Sequence, residues 1–257
     1  IPLIKEMVAG KEGKVVITRG NTMDNASNLA KPFLQKIRDR YEGTRLGRQE
    51  LAGEILGDLP GALWSLDKID LYRVKERPEN MARIVVSVDP AVTNTDESDD
   101  HGIIVAGLAD KEGYVLEDGT LGGSPMDWAR RAIALFDKHE ADAVVIEVNQ
   151  GGDMVAQTLR SVRSTLPIRE VRASRGKHVR AEPIAALYEQ GRVHHVGSFP
   201  ELENQLTAFT NAGYEGEGSP DRGDALVWAM TDLFPQIIKQ EPRPNKPVHY
   251  QPVGWMG

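Results

Sequence analysis

Four carboxylates stand where chemistry is plausible. Asp89 ends the apolar run "RIVVSVD", Glu147 sits inside "AVVIEVN", and Asp221 and Asp224 lie three residues apart in "SPDRGDALVWAM". An acid at the tip of a buried strand is costly unless water or a cation reaches it. Along the first run Ile84, Val86 and Val88 share one face, and Val85, Ser87 and Asp89 share the other. An i, i+3 pair shares one helix face, so Asp221 and Asp224 can point at one place. If the strands bearing Asp89 and Glu147 are parallel neighbours, both acids reach the same sheet edge, where open α/β sheets bind ligands. Convergent carboxylates repel one another, and a divalent ion is the usual resolution; Mg²⁺ takes oxygen ligands and keeps several waters. Two such ions, about 3.5–4 Å apart, stabilise the attacking and leaving oxygens of a phosphodiester. Each acid alone also has an ordinary explanation. An Asp after a strand turns the chain, and Asp221 or Asp224 can N-cap the last helix. Glu147 fits that alternative least, because apolar residues flank it and buried acids are rare without a partner.

The elements that must position these acids are legible from residue 82 onward. "RIVVSVD", "GIIVAGLAD" and "GYVLEDGTL" read as three strands, the last two joined by a hairpin turn at "DKEG". "SPMDWARRAIALFDKHE" reads as a helix, with Ser124 as N-cap, Pro125 at the first helical position and Asp127 in the first turn. "AVVIEV" is a buried strand, "GGDMVAQTLRSVR" a helix, "IREVRA" a strand, and "RAEPIAALYEQG" a helix ending on Gly191. "ELENQLTAF" and "DALVWAMTDLF" read as two further helices. Three strands followed by alternating α/β units imply a mixed sheet flanked by helices on both faces. Residues 1–75 look mostly helical, "KERPEN" at 75–80 reads as a linker, and the Pro-rich residues 236–257 read as an extended tail.

Composition sets outer limits. With 257 residues, 40% hydrophobic and 27% charged, the chain suits one large domain, or one plus an appendage. No apolar run reaches the length of a membrane span. The start, "IPLIKEMVAGKEGKVV", lacks a signal-peptide pattern and an initiator Met, so a fragment or processed chain is expected. The absence of cysteine fits a reducing cytoplasm. A net charge of −7 argues against a nucleic-acid coat but leaves room for a local basic groove. The clearest basic cluster is "REVRASRGKHVR", where Arg169, Arg172, Arg175, Lys177 and Arg180 face one acid, Glu170. Arg175 to Lys177 sits where a strand hands over to a helix, a place suited to phosphate. "NQGG", Asn149 to Gly152, follows the Glu147 strand and permits close approach of a ligand. His194 and His195, after a short strand, read as a structural pair, and Trp128 and Trp228 as packing.

Together "VVSVDPAVTNTDESDDHGIIVAG", "VVIEVNQGGDMV", "VRASRGKHVRAEPIAALYEQGRVHHVG" and "SPDRGDALVWAM" resemble the C-terminal nuclease domain of the large terminase subunit, the DNA-packaging motor protein of tailed bacteriophages and gene-transfer particles. The resemblance covers roughly residues 82–235. It implies an RNase H-like fold close to RuvC-type resolvases, and metal-dependent endonuclease cleavage of concatemeric double-stranded DNA. Carried over by position, Asp89, Glu147 and Asp224 are the implied catalytic and metal-binding acids. Asp221 matches an extra resolvase acid, and Asp99 a further family acid, with Asp96 and Asp100 close by. Asp224 is preferred to Asp221 because it directly precedes "ALVWA". The implied cofactors are Mg²⁺ or Mn²⁺, two ions when DNA is bound, with Asp89 bridging them. Arg172, Arg175, Lys177, Arg180 and Asn149 are the expected DNA contacts. Portal protein and small terminase subunit are the expected partners, with no membrane, and the host cytoplasm at the procapsid is the expected location. Residues 1–75 resemble the end of the terminase ATPase domain and its linker, but no Walker A pattern occurs, so no ATPase activity is expected of this chain.

Two other readings stand beside the nuclease. An actin-like or sugar-kinase-like phosphotransferase uses a related fold but opens on an Asp-x-Gly-x-Thr turn, where this chain has "DPAVT". A non-catalytic module docking a motor onto its partners would use the acids merely as caps.

Overall fold

The structure, a computed structural model, describes residues 20, 22–34, 59, 61–90, 100–148, 152–172, 176–216 and 218–236. Most of 1–75, the tail after 236, and the expected site residues Asp99, Asn149 and Arg175 lie outside them. After a 3₁₀ turn at Thr22–Asn28, residues 31–34 are helical, and α1 is Leu66–Leu71. A meander follows: β1 (Arg83–Asp89), β2 (Gly102–Ala109) and β3 (Glu112–Asp118), each antiparallel to the next. Asp110 and Lys111 make the β2–β3 turn with φ of 50° and 69°, the left-handed geometry that suits the twist of a tight hairpin. Then come α2 (Pro125–Lys138), β4 (Ala143–Glu147), α3 (Gly152–Val162), β5 (Ile168–Val171), α4 (Lys177–Glu189) and β6 (Val193–His195). The six strands form one sheet in the order β5-β4-β1-β2-β3-β6. β4 runs parallel to β1, β5 to β4, and β6 to β3, so the sheet is mixed, as the element order requires. Among the described residues no helix is long and apolar enough to cross a membrane.

Helix ends follow their local chemistry. At the start of α2 the Asp127 carboxylate accepts the Ser124 backbone N–H at 3.0 Å and its hydroxyl at 2.7 Å, which holds the first turn closed. Beyond α4, Gly191 takes φ +69°, and a Cβ there would meet the Tyr72 ring at 2.6 Å. Glycine therefore serves both the reversal and the close approach. α5 (Pro200–Thr207) stops short of the expected Phe209. Phe209 instead opens a small hairpin, β7 (Phe209–Thr210) with β8 (Gly213–Tyr214), because its ring belongs against Trp64, 5.7 Å away between centroids. The last helix is α6 (Asp221–Leu233).

The alternation of β1 divides the core in two. Ile84, Val86 and Val88, with Val144 and Ile146, pack on Trp128, Ala132 and Leu159 of α2 and α3. Val85 and Val145 face the other way, onto a cluster that includes Ile184 of α4 and Leu226 and Met230 of α6. Asp89 and Glu147 continue the Val85 and Val145 rows, so both lie on the α4/α6 side.

Trp64, Leu66 and Ile69, which precede the loop at 75–80, are buried in the same cluster as α6. One sequence expectation needs correction here. His194 and His195 lie within β6 rather than after it. As expected they are structural. His194 Nδ1 reaches the Tyr72 carbonyl at 2.8 Å. Buried His195 has Nδ1 at 3.0 Å from Glu203 and Nε2 at 2.9 Å from the Tyr188 hydroxyl. A carboxylate can only accept, so His195 carries its proton on Nδ1 and accepts the Tyr188 O–H on Nε2. Arg73 completes the cluster with a 2.7 Å contact to the same Glu203 oxygen.

Candidate active site at the carboxyl edge of the sheet

Val88 stands opposite Ile146 in the parallel β1–β4 pair, so Asp89 and Glu147 leave neighbouring strands at the same edge. α6 packs over β1, β2 and β4 and brings Asp221 and Asp224 in its first turn. Both are buried, and neither caps the helix. The N-cap residue is Pro220, whose carbonyl accepts the Asp224 N–H at 2.8 Å. The ordinary explanation of this pair as caps therefore does not hold.

The four acids act on one another. Burial, together with the charges of Asp224, Glu147 and Asp221, pushes the Asp89 carboxyl well above the ordinary Asp range, and Lys177 offsets only part of this. Burial likewise raises Asp224, against the pull of Lys177 and Arg180. The basic residues come from the first turn of α4. Lys177 Nζ donates to Asp224 Oδ2, while Arg180 lies 3.8 Å from Asp224 Oδ1 and 3.5 Å from Glu147 Oε1. Burial lowers the Lys177 amine, but Asp224, Asp89 and Asp221 outweigh it and its pKa is raised. Trp228 Nε1 donates to Glu147 Oε2 at 2.8 Å, and the Arg180 guanidinium lies over the indole ring at 4.5 Å. Among the described residues no three His, Asp or Glu side chains are already drawn together as ligands of a single ion.

Of the residues expected from sequence, Asp89, Glu147, Asp221 and Asp224 are therefore brought to one place. Lys177 and Arg180, expected on the DNA, pair with these acids. Arg172 is exposed. Arg169 of the same basic cluster is paired with Asp232 at 2.7 Å, and Asp100, close to Asp99, with Arg222 at 2.7 Å. Three residues were missed as parts of the site. Trp228 looks like packing alone, although it stands one turn beyond Asp224 on the same helix face, the signal that links them. Gly102 pairs with Asp89 across the β1–β2 ladder, and a Cβ there would lie 2.0 Å from the Asp221 carbonyl oxygen. That approach lets α6 reach the sheet edge. Arg222 anchors the α6 start to Asp100, to Asp118 at 3.1 Å and to Glu201 at 2.5 Å.

Comparison with known proteins follows the same line. The large terminase of the thermophilic bacteriophage D6E has a similar structure at 15% identity and a TM-score of 0.52, over 83% of this chain and 55% of that one. This chain thus spans about half the length of that protein. The large terminase nuclease of thermophilic phage G20c aligns at 18% identity and a TM-score of 0.50, over 67% of this chain and 98% of that one. The same nuclease with bound magnesium gives the same values. At such identities the likeness is one of fold. A comparison with curated proteins finds no match. The model of the terminase RNaseH-like domain matches residues 86–233, more than half of the 257 residues, and the chain belongs to that family.

Proposed function

We propose that this chain is a divalent-metal-dependent endonuclease that cuts double-stranded DNA as the cleaving part of a phage packaging terminase. One observation carries the reading: Asp89, Glu147 and Asp224 come from a strand, its parallel neighbour and a distant helix, and act electrostatically as one group. Family membership gives that group its chemical context. Bound magnesium in the G20c nuclease accords with it.

The residues fit a metal by their chemistry. All the candidate donors are carboxylate oxygens, the set that suits Mg²⁺ and Mn²⁺, and the raised Asp89 carboxyl is a burden that a cation would lift. Asp89, Glu147 and Asp224 would hold the ions, which supply activation of a water and neutralisation of the charge that develops on the phosphate. Asp224 is favoured as the ligand from α6, and both Lys177 and Arg180 contact it. Trp228 and Arg180 fix the two Glu147 oxygens. Exposed Arg172 and half-exposed Lys177 offer positive charge to the DNA backbone, with Arg175 and Asn149 as further contacts. Concatemer cutting, two-ion catalysis, portal and small-subunit partners, and action at the procapsid in the host cytoplasm complete the proposal.

Incubation of supercoiled plasmid with Mg²⁺, Mn²⁺ or a chelator tests it. The native chain should nick and linearise DNA with metal and be silent in chelator. Asp89→Asn, Glu147→Gln and Asp224→Asn should be silent throughout. Metal-dependent nicking retained by Asp89→Asn would refute the assignment.

A further inference from the structure

We infer that Lys177 is an exchangeable counter-cation: it neutralises Asp224 until a divalent ion takes that carboxylate, and it then turns to a DNA phosphate. The inference rests on the nuclease reading and adds a coupling between metal and DNA which that reading does not contain.

The two cations of α4 are not equivalent. Arg180 is 12% exposed and its guanidinium lies on the Trp228 ring, within ion-pair reach of both Glu147 and Asp224. A planar group held on three sides is a fixed strut. Lys177 is 49% exposed and meets Asp224 through its ammonium. A half-exposed lysine keeps a flexible stem and a compact, easily rehydrated head, so it can leave where Arg180 cannot. The cations of α4 occupy the oxygens an ion would need. One oxygen of Asp224 receives the Lys177 ammonium, and Glu147 is divided between Arg180 and Trp228.

The consequence is linkage. An incoming divalent ion must compete with a positive charge already on Asp224, so its affinity without DNA is reduced. Once released, the ammonium stands at the first turn of α4, five residues beyond exposed Arg172, and a phosphate in front of that edge would receive it. DNA should therefore tighten metal binding, and metal should tighten DNA binding by the same factor. The device would hold the acids in a folded, neutralised arrangement until the substrate arrives.

Calorimetric titration of the full chain with Mn²⁺ in the absence of DNA tests this. Lys177→Gln should bind Mn²⁺ about tenfold more tightly than the native chain, a gain of about 1.4 kcal/mol, and Lys177→Arg should stay near native. Equal or weaker Mn²⁺ binding by Lys177→Gln overturns the exchange. A second measurement needs no variant. Lysine acetylation followed by mass spectrometry should show Lys177 several-fold more reactive at saturating Mn²⁺ than in chelator, and unchanged reactivity overturns the proposal. If the native chain shows no saturable Mn²⁺ site that Asp89→Asn abolishes, the nuclease reading itself fails. If it shows such a site but neither Lys177 effect, only the exchange fails.

Discussion

Replacing Gly102 by alanine should disable the site although Gly102 carries no chemistry. An ideal Cβ at this position would sit 2.0 Å from the Asp221 carbonyl oxygen, 2.4 Å from its carbon and 3.1 Å from the Arg222 nitrogen. Carbon and carbonyl oxygen normally approach to about 3.3 Å, so strand and helix must part by about 1.3 Å. The clashing atoms are backbone, and no side chain can rotate away. The helix start has little freedom to retreat. Arg222 ties it to three acids, the Gly223 N–H donates to Gln205 Oε1 at 3.0 Å, and Gly223 itself lies against the Phe209 ring. Overpacking of this kind costs about 1–3 kcal/mol, a fall in Tm of roughly 2–12 °C at about 2–4 °C per kcal/mol for a domain of this size. The catalytic effect should be larger. A shift of about 1 Å between reacting groups costs on the order of a hundredfold in rate, and the shift separates Asp221 and Asp224 from Asp89. Plasmid nicking with Mn²⁺, Mn²⁺ calorimetry and thermal melting measure the three effects. Gly20→Ala is the control, since its Cβ would meet nothing within 4 Å. Gly102→Ala with native nicking rate and native Mn²⁺ affinity would show that α6 does not need this approach to hold its acids.

Trp228→Phe keeps the ring and removes the N–H donated to Glu147. Loss of a hydrogen bond to a charged group is worth about 1.5–3 kcal/mol, so nicking should fall by roughly one to two orders of magnitude while the variant still melts cooperatively; an unchanged rate would return Trp228 to packing alone. The Glu203 carboxyl is lowered to about 2: burial opposes this, but hydrogen bonds from His195 and Arg73 prevail. Its folded pKa lies below the unfolded value, so its stabilisation is complete above about pH 4.5 and is lost as pH falls toward 2, worth about 3 kcal/mol. Burial also lowers the His195 imidazole, so the unfolded chain takes up that proton first and acid weakens the fold further. Urea midpoints from pH 6 down to pH 3 should fall more steeply for the native chain than for Glu203→Gln. Parallel lines would contradict the buried ion pair.

The sequence made visible what depends on one element at a time. An apolar run ending in an acid marks a strand tip whatever lies beside it, so β1, β4 and the positions of Asp89 and Glu147 were readable. The i, i+3 spacing placed Asp221 and Asp224 on one helix face. Features that depend on two elements meeting were not readable. Gly102 matters because it pairs with Asp89 and because α6 crosses above it, and neither relation has a local signature. A basic residue at a helix start looks the same whether it faces phosphate or carboxylate, so the ion pairs of Lys177 and Arg180 were hidden. β7 and β8 have two residues each, too few to show an alternation, and Phe209 was drawn into the preceding helix. The burial of Trp64, Leu66 and Ile69 against α6 was not readable either, because it too depends on two elements meeting.

The α4/α6 side of the sheet holds two polar clusters that contain buried acids, and they differ in how their charge is matched. In one, Glu203 Oε1 accepts from Arg73, His195 and the Phe199 N–H, and the carboxyl is driven far below its ordinary range. That charge is matched inside the fold, and the cluster ties residues 70–73 to β6 and α5. In the other, Asp89 is driven the opposite way by burial and by three like charges. Counting acids does not separate the two clusters; the direction in which each carboxyl moves does. A buried acid held ionised stabilises the fold, whereas one pushed toward protonation is a strain that selection for stability alone would remove. The same contrast predicts opposite behaviour on amidation. Glu203→Gln should melt earlier and, where folded, still cut DNA. Asp89→Asn should melt in chelator at neutral pH no earlier than the native chain, because it loses a charge the fold holds poorly, and it should not cut. If Asp89→Asn instead destabilises the chain as Glu203→Gln does, Asp89 is a matched structural acid and the metal-binding assignment loses its physical basis.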